Sequence, residues 1–72
     1  MNVYFYELNS KTARADLAAL EQSLKSSPSV VSTRLLQSLE QEGLFLLIVE
    51  AKEKPALLLP ENCRVWSFTS PA

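Results

Sequence analysis

Between Gly43 and Glu50 the chain runs Leu44-Phe45-Leu46-Leu47-Ile48-Val49 without a polar interruption. Successive side chains of a strand point to opposite faces of its sheet, so a strand through this run is apolar on both sides and needs cover on both. The run is too short to cross a bilayer, which takes about 20 residues, so protein must supply the cover. What the rest of the chain offers for that purpose decides its fold.

The clearest periodic signal lies between Lys11 and Lys25, where Ala13, Leu17, Leu20 and Leu24 recur at spacings of four, three and four. That spacing predicts a helix with one apolar side. Arg14, Glu21, Gln22 and Lys25 fall on the opposite side, with Glu21 and Lys25 in the favourable i, i+4 order and Lys25 near the negative end of the helix dipole. Asn9 or Ser10 can cap the start. Ser26-Ser27-Pro28-Ser29 ends the helix, because proline disfavours helical geometry in the residue before it.

Val3 to Leu8, Val30 to Leu39, Leu44 to Lys52 and Cys63 to Thr69 are rich in β-branched and aromatic residues and read as strands. Glu40-Gln41-Glu42-Gly43, holding the only glycine, makes a hairpin of the second and third. Pro55 and Pro60 bracket Ala56-Leu57-Leu58-Leu59 and leave room for about one helical turn. The expected fold is α+β over residues 1–72 as a single domain: a ferredoxin-like β-α-β-β-α-β order whose second helix is a short turn or helix, with an antiparallel sheet covered on one face by one main helix. A plain hairpin of the last two strands with a long loop is the rival.

A chain of 72 residues buries only roughly 60% of the surface its unfolded form exposes, and domains this small are usually reinforced by disulfides, a metal or a partner chain. One cysteine, Cys63, excludes an intrachain disulfide, and with no histidine the common zinc and copper ligand sets are missing, so neither metal nor other cofactor is expected. Oligomerisation is left. The seven basic residues are scattered at a net charge of −1, which gives no stripe for a phosphate backbone and excludes nucleic acid as a partner. Met1 to Glu7 lacks a basic n-region and carries Glu7 before any apolar core could develop, so the expected location is cytoplasmic, with no membrane partner.

The apolar surplus recurs in the outer segments. Val3 and Phe5 point one way and Tyr4 and Tyr6 the other; Val65 opposes Trp66 and Phe68. One helix covers one face, and Leu57-Leu58-Leu59 is small beside a four-stranded sheet. A second copy packed sheet to sheet would bury the remainder, which predicts a homodimer. In the alternative, the loop folds over the sheet and the remaining apolar residues are ordinary exposed ones.

Ser26 to Lys54, SSPSVVSTRLLQSLEQEGLFLLIVEAKEK, resembles the antibiotic biosynthesis monooxygenase-like members of the dimeric α+β barrel superfamily. The shared pattern is a helix ending in a Pro-containing turn, a valine-rich strand with an Arg-Leu-Leu run, an acidic turn and an apolar strand ending in Val-Glu. The resemblance implies a ferredoxin-like fold and a homodimer with paired sheets. Members with known activity oxidise polycyclic aromatic substrates or degrade haem, the latter with a histidine ligand that this chain lacks.

Trp66 and Phe68 with the phenols of Tyr4 and Tyr6 could line an aromatic-binding pocket between helix and sheet, and Arg64, on the face of Trp66, could meet an anionic ligand or pair with Glu7 or Glu50. Large aromatics on a sheet face equally serve as core or interface. Cys63 has no histidine to make it a thiolate and suits a small packed position, and Glu40, Glu42, Glu50, Glu53 and Glu61 fall mostly in turns. No catalytic residue is assigned. Two functions follow: a non-catalytic interaction or regulatory module that self-associates through its sheet or binds another protein, and a cofactor-independent monooxygenase-like or small-ligand-binding protein with the aromatic pocket. The missing catalytic groups favour the first.

Overall fold

The computed structural model describes residues 1–71. Its elements are β1 (Asn2–Asn9), α1 (Ala13–Lys25), β2 (Val30–Gln37), β3 (Leu44–Ala51) and β4 (Arg64–Thr69). The four strands form one sheet in the order β2-β3-β1-β4, with every neighbouring pair antiparallel. β1 and β2 are therefore parallel, joined through α1 and separated by β3. α1 lies over β2, β3 and β1 and not over β4.

The core sits between α1 and the sheet. Ala13, Leu17, Leu20 and Leu24 are the buried residues of α1, the four that the periodicity selects. They meet Tyr4, Tyr6 and Leu8 of β1 and Phe45, Leu47, Val49 and Ala51 of β3, with Val30, Leu35, Leu57, Cys63 and Val65 packed around them. Alternation along β1 and β3 thus sends one set of side chains to the helix and the other set to the opposite face.

α1 begins at Ala13, the first apolar position of the pattern and two residues after Lys11, the start of the expected helix. Ser10-Lys11-Thr12 instead make a turn, in which Ala13 N–H donates to Ser10 O at 3.3 Å and Thr12 N–H to Ser10 Oγ at 3.3 Å. Thr12 takes the N-cap position, and its Oγ1 donates to Asp16 Oδ2 at 2.9 Å. Glu21 also differs from its expected place on the solvent side: it is half-buried, and its Oε2 accepts from Thr33 Oγ1 at 2.8 Å, tying α1 to β2.

β2 carries a bulge between Val30 and Ser32. The extra residue, Val31, shifts the alternation by one, so Val30 and Leu35 both reach the helix side although one position is even and the other odd. In the turn that follows, Ser38 Oγ accepts from the backbone of Glu40 at 3.2 Å and Gln41 at 3.0 Å. Gly43 has φ +82°, and a Cβ there would stand 3.1 Å from Asn9 Oδ1 and 3.3 Å from Ser10 O. Its own carbonyl accepts from Ser10 N–H at 3.1 Å, which ties the hairpin turn to the end of β1.

Residues 52–63 form no helix, and the stretch from Pro55 to Pro60, where a short turn or helix is expected, forms neither; the two prolines hold it extended. Leu57 packs on the core while Leu58 is 99% exposed. The segment closes in a turn where Cys63 N–H donates to Pro60 O at 3.2 Å and Asn62 takes φ 66°. No helix of the described residues is long and apolar enough to cross a membrane.

Candidate functional site

The face of the sheet turned away from α1 carries the strongest unsatisfied feature of the molecule. Strand register arranges its side chains as a grid with columns in the order β2, β3, β1, β4. One row is Ser32, Glu50, Val3 and Phe68; the middle row is Arg34, Ile48, Phe5 and Trp66; the third is Leu36, Leu46, Glu7 and Arg64. Seven of these twelve positions are apolar, so two rows of mixed character enclose a middle row with one charge, on Arg34. Among the described residues no helix or strand lies across them.

The aromatic corner is locally ordered. Phe5 and Phe68 pack edge to face with ring centroids 5.4 Å apart. Trp66 Nε1–H donates to Glu7 Oε1 at 3.3 Å, across the β1-β4 pair. Even so, Trp66 remains 49% and Phe68 55% exposed. At the opposite corner Ser32 Oγ donates to Glu50 Oε1 at 3.0 Å. A shallow depression of about 270 Å³ at the lower end of this face is bounded by Leu36, Leu44, Leu46 and Glu7. An adjoining polar one of about 470 Å³ lies between Glu7, Asn9, Gln41, Asn62 and Arg64.

The five candidate ligand residues separate here. Trp66, Phe68 and Arg64 lie on the open face, with Arg64 opposite Glu7 in the β1-β4 register. Tyr4 and Tyr6 lie on the helix side, buried among Leu17, Leu24 and Leu47. The pocket expected between helix and sheet, lined by Tyr4, Tyr6, Trp66 and Phe68, is therefore not formed. Residues two apart share a face, but β1 presents its even-numbered residues to α1 whereas β4 presents its odd-numbered ones, because each Cα pair of the β1-β4 register joins an even to an odd position.

Tyr4 Oη accepts from Asn2 Nδ2 at 3.0 Å. Tyr6 Oη has no hydrogen-bond partner among the described residues, and burial, with the neighbouring Tyr4 and Cys63, pushes its phenol above the ordinary range. Cys63 is likewise held protonated, by burial first and by the Glu7 carboxylate second, and its Sγ donates to Arg64 O at 3.9 Å. A thiol in that state is a poor nucleophile. Among the described residues no group of three or more cysteine, aspartate or glutamate side chains is placed to hold a metal ion.

Sequence reasoning passed over Arg34, Leu36, Leu46, Ile48 and Phe5 as parts of one surface. Their common face follows from register, and the bulge at Val31 hides the register of β2 from a count of alternating residues. No family model, curated protein or solved structure matches the chain.

Proposed function

We propose that this protein is a non-catalytic interaction module that works through the open face of its sheet and self-associates there as a homodimer. The observation that carries this reading is the contrast between the two faces. One is closed by α1 over fully buried Leu17, Leu24, Leu47 and Val49; the other presents Val3, Phe5, Leu36, Leu46, Ile48, Trp66 and Phe68 with no helix or strand of the described residues across them. Contiguous apolar surface of this kind on a small domain marks a contact site.

The same reading takes the fold as ferredoxin-like with its second helix replaced by the extended 52–63 segment. The split β1-α1-β2 unit, with β3 inserted between its strands, supports it. The resemblance to the antibiotic biosynthesis monooxygenase-like proteins enters here for their paired sheets and not for their chemistry. A single cysteine, which can form no intrachain disulfide, suits a reducing compartment, and the reading takes the protein as cytoplasmic.

Sedimentation across the micromolar range tests the reading. A dimer is expected, with Trp66 emission shifting to the blue as concentration rises, since Trp66 is the only tryptophan. A monomer with unchanged emission throughout that range overturns it.

A further inference from the structure

The geometry points to how the second copy sits: the two sheets stack about a twofold axis that lies between them and runs along the strands, placing Arg34 of each protomer over Trp66 of the other. This orientation rests on the self-association proposed above.

An isologous sandwich admits a small set of in-plane axes. Strands of up to eight residues at about 3.3 Å per residue and four strands about 4.8 Å apart give a face of at most roughly 26 by 19 Å, or about 500 Å² in projection. Strands crossed at a right angle overlap over only about 19 by 19 Å and leave roughly a quarter of each face bare. Aligned strands overlay the whole of it. Side-chain relief raises the accessible area above the projection, toward the roughly 800 Å² per partner of a standard interface.

Two aligned arrangements remain. An axis running across the strands lays each strand on its own copy. Because Arg34 and Trp66 occupy the middle row, that axis sets Arg34 against Arg34 with both guanidinium groups stripped of water, which is repulsive. An axis along the strands instead lays β2 over β4 and β3 over β1 with the rows kept. Arg34 then meets the indole face of Trp66, a favourable cation–π contact, and Ile48 meets Phe5, each twice by symmetry. No like charges are opposed. Glu7, which comes over Leu46, brings the Trp66 N–H as its own donor.

A thermodynamic cycle on the dimer tests the orientation. Arg34 and Trp66 are both exposed in the single chain, so Arg34→Ala, Trp66→Leu and the double variant should keep the wild-type far-ultraviolet circular dichroism. Sedimentation equilibrium should show Arg34→Ala weakening the dimer about tenfold in the wild-type background, as two cation–π contacts imply. In the Trp66→Leu background the same change should alter it less than twofold. Tighter association of Arg34→Ala would indicate the axis across the strands and overturn the orientation while leaving the self-association intact. An equal loss in both backgrounds, as expected of crossed strands, also overturns it. A wild-type chain that never dimerises removes both proposals.

Discussion

Val30 and Leu35 lie on the same side of β2 and pack on the same core, although an unbroken strand would send them to opposite faces. The bulge at Val31 makes the difference. Deleting Val31 removes the bulge and leaves Val30 and Leu35 four positions apart, which a regular strand sends to one face, so both keep their places in the core. Stability in a urea titration should change by less than about 1 kcal/mol, since Val31 itself is exposed. A loss of about 1.5–3 kcal/mol, the scale of one aliphatic side chain returned to water, would show that β2 packs only with the bulge in place.

Tyr6 is 1% exposed and its hydroxyl has no partner among the described residues. Removing that oxygen relieves an unmet desolvation penalty, so Tyr6→Phe should be neutral or gain up to about 1 kcal/mol at pH 7. The pH dependence has a definite sign. The raised phenol keeps its proton in the folded state while the unfolded chain begins to release it near pH 10, so the stability tied to Tyr6 is whole below that pH and falls as pH climbs toward the raised value. Cys63 adds the same trend from about pH 9. Denaturation midpoints between pH 7 and 11 should therefore decline less steeply for Tyr6→Phe than for the wild type, and a substantial loss at neutral pH would show that the hydroxyl is bonded.

Gly43 combines φ +82° with a close approach to Asn9 and Ser10. A methyl group there meets a left-handed backbone and a backbone oxygen together. Gly43→Ala should cost about 1–2 kcal/mol, read as a lowered melting temperature. Asn9→Ala in the same background should recover part of this if the Asn9 side chain is the obstacle.

Leu57 and Leu58 are neighbours with opposite expectations. Leu57→Ala should cost about 1–2 kcal/mol, because its side chain seals the core, whereas Leu58→Ser should change stability by less than about 0.5 kcal/mol. Equal effects at the two positions would mean that the segment packs differently.

The core was legible where one element's period set it: Ala13, Leu17, Leu20 and Leu24 could be read directly, and the strand runs fell within two residues of their observed bounds. The surplus of apolar residues on the second face was legible too, from Leu44 to Val49 alone. What the sequence withheld were relations between elements. Tyr4 and Trp66 look alike as strand aromatics, and only the even-to-odd pairing of β1 with β4 sends one to the core and the other to the surface. The start of α1 was misplaced because Ser10 and Thr12 can each satisfy a free backbone N–H, and local chemistry does not rank them.

β4 is joined to the sheet through β1 alone and does not lie under α1. Its pairing brings residues 64–69 against residues 2–7, nearly the whole chain apart, so it closes the longest loop in the molecule. The hairpin of β2 and β3 can form early beneath α1, and β1 can dock beside it before β4 arrives. Trp66 and Phe68 join the open face only through this pairing, so the surface offered to a partner is complete only where residues 64–69 are docked on β1.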